Sequence, residues 1–204
     1  MRSSFIASTF LLLVLTACAP QVETGLIHPN LIIIRDFTAS TGAVVLDPSF
    51  GFSLNRGQPG VPPRQRAGAV ARGAAFELAE TIDERLRELG FDVVRSATEM
   101  PDPSARGLIV NGVFRKIDEG YRRRVGDENS NVSVAAQVEY RAPGAAPQVL
   151  LALNLDSRQL PPTAAVSTRG GGSNVNTAAR RVGYEIARSI ADIARRNNWP
   201  MAAH

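Results

Sequence analysis

Apolar positions along the chain recur in patterns that predict seven ordered segments, separated by irregular stretches. Leu31 to Phe37, LIIIRDF, is apolar and β-branched and predicts a mostly buried strand. Thr38 to Val61 is rich in Gly, Ser, Pro and Asn and predicts a long irregular connection, with Val44 to Leu46 as a short strand inside it. Pro62-Pro63 then suits a first helical turn, because the N–H that proline lacks would have no intrahelical acceptor there. From that point Val70, Ala74, Leu78, Ile82 and Leu86 repeat every fourth residue. Leu89 extends the stripe and Gly90 supplies a stop.

Three further strands and one helix follow the short strand FDVVR at 91–95. Gly107 to Ile117 reads as a strand. Asn131 to Arg141 alternates cleanly, with Val132, Val134, Ala136, Val138 and Tyr140 on one face and Ser133, Gln137, Glu139 and Arg141 on the other. Pro143-Gly144 marks a turn, and Gln148 to Asp156 is the next strand. A second irregular stretch, with Pro161-Pro162 and three glycines at 170–172, leads into a helix over 176–197 striped by Val182, Ile186, Ile190 and Ile193. The polar face of the 131–141 strand means that the sheet is covered on one side only, and the two amphipathic helices supply that cover. The order β-α-β-β-β-β-α predicts an α+β two-layer sandwich, a mostly antiparallel sheet of about five strands with two helices on one face.

The N-terminus carries a different pattern. Arg2 precedes an apolar run of 11 residues, Phe5 to Leu15. That is too short to span a bilayer and right for an export signal. It ends in Leu15-Thr16-Ala17-Cys18, and Cys18 is the sole cysteine. The sequence resembles the lipobox of bacterial lipoproteins, which implies cleavage before Cys18, a diacylglycerol on its sulfur and an acylated amino group. A conventional signal would instead leave one exposed thiol in an oxidising compartment. The division expected is a signal peptide over 1–17, a lipid-anchored tether over 18–30, one domain over 31–199 and a tail over 200–204. Ala19 lacks the aspartate that favours inner-membrane retention in enteric-type lipoproteins. By that likeness the anchor lies in the outer membrane with the domain facing the periplasm; the inner membrane and the cell surface are the alternatives.

Composition narrows the chemistry. There are two histidines, His28 and His204, both in the tails as read here, and one cysteine, so neither a Cys/His metal cluster nor a Ser-His-Asp arrangement is expected. No metal and no cofactor is expected beyond the acyl chains on Cys18. Formal charge is only +4, carried by 22 arginines and Lys116 interleaved with acids, which argues for solvated surface over a nucleic-acid site. Arg64 and Arg66 oppose the macrodipole at the start of the first helix, a hint that they meet an acid. Arg181, Glu185, Arg188 and Asp192, three or four apart, read as a face laced with weak ion pairs.

The most distinctive run is GVFRKIDEGYRRRVGDENSNVSV, 112–134. Arg122, Arg123 and Arg124 near its turn are the candidate binding residues, three guanidiniums able to grip a phosphate, a lipid headgroup or carboxylates. Against that, Arg115 to Glu128 holds five bases and four acids, which is no electrostatic funnel. The glycines of RGGGSN, 169–174, could present backbone amides to an anion, but no lysine follows them, and a flexible loop is the simpler reading. With the lipobox, the RDF strand, the central helix, NGVFRKIDEGYRRRVG and a helix ending near Trp199, the chain resembles an uncharacterised family of bacterial lipoproteins, a domain of unknown function designated the 4410 family. Arg123, Arg124 and Gly126 match its pattern, but the glycine-rich continuation typical of that family is replaced here by Asp127-Glu128-Asn129-Ser130. The resemblance implies a compartment and no activity. The element order is also similar to that of periplasmic activators of peptidoglycan synthases and auxiliary subunits of lipid-transporting systems, at fold level only.

The expected function is a non-enzymatic binding or accessory lipoprotein that docks on an envelope protein, with no nucleic-acid partner. The alternative is a carrier holding a lipid or glycan between sheet and helices. A carboxylate-dependent hydrolase using Asp118 and Glu119 with a loop acid stands third.

Overall fold

In the computed structural model, residues 25–40, 42–47, 62–96, 105–120, 130–161 and 174–202 are described. Cys18, Arg122, Arg123, Arg124 and Gly126 lie outside them. The elements in chain order are β1 (Leu31–Ile34), β2 (Thr38–Ala39), β3 (Val44–Val45), α1 (Pro63–Glu88), β4 (Val93–Arg95), β5 (Gly107–Asp118), β6 (Asn131–Arg141), β7 (Gln148–Asp156) and α2 (Asn174–Arg196). The sheet order is β4-β1-β5-β6-β7, with β2 and β3 added to β5 beyond the end of β1. This is the expected α+β sandwich of a sheet and two helices.

The sheet is mixed, where a mostly antiparallel one was expected. β1 is parallel to both β4 and β5, and β2 and β3 are also parallel to β5. Among the described residues only β5–β6 and β6–β7 are antiparallel. The cause is the crossover: α1 carries the chain back to the end where β1 began, so β4 enters alongside β1 in the same direction. The first strand is also shorter than the pattern implied. The chain leaves β1 after Ile34, and Phe37 turns inward onto Gly112 of β5. A side chain at 112 would place its Cβ 2.6 Å from both the Phe37 ring and the Ala135 carbonyl oxygen, so glycine is what lets the ring in.

The helices form where their stripes placed them. α1 buries Ala74, Leu78, Ala79, Ile82 and Leu86, and Gly90 at φ 88° ends it. α2 buries Val182, Ile186, Ile190 and Ile193 completely. Side-chain pairs run in step along both helices, Glu77 with Arg180 and Arg85 with Tyr184, so α1 and α2 are parallel. Both lie on the face carrying Ile32, Leu108, Val110, Val132, Val134 and Val138. Each large aliphatic side chain so buried contributes about 1.5–3 kcal/mol. On the opposite face Ile33 and Ile109 make a small separate cluster with Leu31 and Ala105. β6 alternates as its sequence required.

Residues 25–30, placed in the tether by sequence, are held on the body. Asn197 Oδ1 accepts from the amides of Gly25 and Leu26 at 3.1 and 3.0 Å. Trp199 Nε1 donates to the Leu26 carbonyl at 2.6 Å, and Tyr140 Oη to that of Ile27 at 3.1 Å. The His28 ring stacks on Phe91 at 5.8 Å and meets Trp199 edge-on. Trp199→Phe keeps most of the ring's bulk and loses its donor. It should cost about 1 kcal/mol in urea unfolding, read as a lower midpoint at unchanged slope.

Candidate functional site

β5 runs the length of the molecule, and its two ends do different work. At its start, Asn30 N–H donates to the Arg106 carbonyl at 2.9 Å, which places the N-terminal segment and the end of α2 at the base of the sheet. At its finish, twelve residues or about 36 Å away, three pairs of stems come together. They flank segments 48–61, 121–129 and 162–173.

Glu119 ties the first two pairs. Its side chain is buried, and its Oε2 accepts from the Asp47 amide at 3.0 Å and faces Arg66 Nη2 at 3.5 Å. Asp47 precedes 48–61 and Arg66 follows it, so one carboxylate closes that loop at its base. The Glu119 carbonyl accepts from Ser130 Oγ at 2.8 Å, which closes 121–129 in the same way. The third stem joins through β6: Ser157 Oγ donates to Asn131 Oδ1 at 2.9 Å, and Asn131 Nδ2 donates to Asp156 Oδ2 at 3.2 Å. The acid sought for the N-terminal arginines of α1 is thus Glu119, and Arg66 is the one that meets it. Arg64 stands free of ion pairs among the described residues, on the rim of a groove.

Asp118 points to the other side of β5 from Glu119. It accepts from the Gly120 amide at 2.9 Å and from Lys116 Nζ at 2.9 Å. Partial burial is the largest single influence and raises its pKa. The Gly120 amide, Lys116 and Arg158 together outweigh it, so the carboxyl lies below its ordinary value. A depressed folded pKa contributes stability above the unfolded pKa of about 3.9 that is lost as pH falls through the folded value. Asp118→Asn should therefore lower stability at pH 7, where the charged carboxylate contributes, and flatten the further loss as pH falls below about 4, as acid titration of the circular dichroism would record. Gly120, at φ 64°, adopts the left-handed turn that this amide bond requires.

Two hollows lie along β5, one toward this end and one near its middle. One lies between α1 and β2–β3, about 360 Å³, lined by Ala39, Val44, Leu46, Ala67, Gly68 and Ala71 with Ser40, Pro63 and Arg64 around it. The other is a notch of about 390 Å³ on the open face, where the chain steps from β1 to β2; Arg35, Asp36, Asn111, Gly112, Val113, Ala135 and Gln137 line it. Neither was legible in the sequence, because each is built from residues far apart in the chain. Among the described residues there is no group of three or more His, Cys, Asp or Glu able to hold a metal, and no helix long and apolar enough to cross a membrane. Within the polar stripe of α2, Arg188 pairs with Glu185 as its spacing implied, while Asp192 pairs with Arg195, outside the stripe as read; each bond is 2.6 Å. Exposed pairs of this kind contribute little.

No family model matches the chain, and no curated protein does. Among solved structures it is similar to a Helicobacter pylori protein provisionally named a neuraminyllactose-binding hemagglutinin homolog. That match has 10% identity and a TM-score of 0.41, covering 89% of this chain and 97% of that one. An uncharacterized protein matches at 10% identity and a TM-score of 0.31, covering 83% of this chain and 95% of the other.

Proposed function

We propose that the chain is a lipoprotein of the bacterial outer membrane, acylated at Cys18, whose periplasmic domain is a non-enzymatic module docking on another envelope protein. The observation that carries this reading is the separation of ends along β5. The N-terminal segment leading from the lipobox is held at the base, and three loop stems gather at the far end. A domain tethered by its base presents that far end away from the membrane. The described acids support a binding role over hydrolysis: Asp118 is engaged by Gly120 and Lys116, and Glu119 by Asp47 and Arg66, on opposite sides of the strand. Photo-crosslinking in living cells tests the reading. A benzophenone side chain at Val45, exposed at the loop end, should give a discrete adduct with one envelope protein, and one at Pro200, exposed at the base, should not. Smears or no adduct at Val45 would count against docking at this end.

The groove beside α1 favours the second reading, a lipid carrier. Its walls are small and apolar and Arg64, free of ion pairs among the described residues, stands at its mouth, which suits an acyl chain with an anionic head. Native mass spectrometry should then detect a bound lipid that Gly68→Phe displaces.

A further inference from the structure

We infer that the chain pairs with a second copy of itself along the free edge of β7, forming a two-fold dimer with one continuous sheet. β7 is the last strand on its side and, among the described residues, is hydrogen-bonded to β6 alone. Edge strands are ordinarily protected by charge, proline or brevity. β4, at the other edge, is three residues long and carries Arg95. β7 is nine residues long, QVLLALNLD, with no proline and no charge before Asp156.

The phase of its hydrogen bonds says how a partner would sit. Ser157 N–H donates to the Val132 carbonyl at 2.9 Å, so the hydrogen-bonded pairs with β6 fall on Leu155, Leu153 and Leu151. Ala152 and Asn154 therefore turn their N–H and C=O groups to the open side. The register shifts between Val138 and Glu139, opposite Leu150, so Leu151 to Asp156 is the regular part of the edge.

That part is complementary to itself. An antiparallel copy placed with its dyad on Leu153 sets Ala152 opposite Asn154 of the second copy, and these are the residues whose backbone groups are open. The same register sets Leu151 opposite Leu155 of the second copy and Leu153 opposite its own counterpart. All these leucines point to the helix side in the close, non-hydrogen-bonded pairs. They need such cover. Leu151, Leu153 and Leu155 are only half-buried, whereas their β6 neighbours Val138, Ala136 and Val134 are 0–1% exposed. The helix layer ends one strand short of the edge, and a second copy supplies what is missing.

Oxidative cross-linking of the full chain in its own membranes tests the register. Leu153→Cys should form a disulfide-linked dimer, since paired Cα atoms about 4.5 Å apart fall in the bridging range. Val149→Cys, more exposed but far from the dyad, should not, and the parent chain with Cys18 sets the background. Ala152→Lys combined with Asn154→Lys touches no core residue and sets lysine against lysine twice. It should weaken dimerisation by roughly tenfold or more in sedimentation of the detergent-solubilised chain. A parent chain that sediments as a monomer overturns the inference. So does cross-linking at Val149 as strong as at Leu153, or a Leu153→Cys adduct made with a different protein.

Discussion

Gly183→Leu is expected to lower stability by about 3 kcal/mol, the upper end of what overpacking costs, and to shift the urea midpoint accordingly. Position 183 is where α2 packs tightly against the main chain of α1. A Cβ there would lie 2.7 Å from the Leu78 carbonyl oxygen and 3.0 Å from Thr81 Cβ. Main chain of a neighbouring helix cannot rotate aside as a side chain can. Relief requires the helices to separate, and both are pinned to the sheet by fully buried residues, Ile82 and Leu86 on one and Ile186 and Ile190 on the other. Gly183→Ala sets two effects against each other: alanine favours a helix interior over glycine by about 1 kcal/mol, and its methyl meets the same oxygen. The clash should win, leaving a smaller net loss. A Gly183→Ala chain more stable than its parent would show that the helices slide freely. Gly144→Ala isolates the opposite case, since nothing lies within 4 Å and only the positive φ of 71° resists it. Its cost should be about 1 kcal/mol.

Cys18→Ala should release the protein from the membrane fraction entirely. Anchoring by acyl chains follows the apolar length buried, at about 0.8 kcal/mol per CH₂. One chain holds marginally, two hold stably, and the lipobox resemblance implies three. By that resemblance, loss of the sulfur removes the diacylglycerol and blocks cleavage before residue 18 with it. The uncleaved signal, with its 11-residue apolar run, is too short to replace a spanning helix. Fractionation should find the variant in the soluble fraction with its signal uncleaved, and mass spectrometry of the parent should find acyl chains on residue 18. An unacylated Cys18 in the parent would remove the membrane from the proposed function and leave the fold untouched.

The elements were legible because their patterns are local. The fourfold spacing from Val70 to Leu86 and the alternation from Val132 to Tyr140 each name a buried face without reference to the rest of the chain. Gly90 and Pro62-Pro63 bounded α1 through backbone chemistry that acts within one turn. The direction of pairing was not legible, because a strand's own alternation is the same whether its neighbour runs with it or against it. The inward step at Phe37 was missed for a related reason: its signal is a glycine at 112, meaningful only once that strand lies beside it. The arginines were half legible. Their position against the α1 dipole called for an acid, but Glu119 stands 53 residues from Arg66, and nothing local could choose it.

The sequence alone determined the helices, the alternating strand and the one-sided cover, each set by short-range periodicity or by residue chemistry at adjacent positions. Only the tertiary structure decided that β1 lies parallel between β4 and β5, that Glu119 closes two loops at once, and that β7 ends the sheet with its leucines half covered. It alone decided that the N-terminal segment and the three loop stems stand at opposite ends of β5. Those facts depend on which distant segments share a strand, and burial of apolar surface across the whole chain fixes that choice.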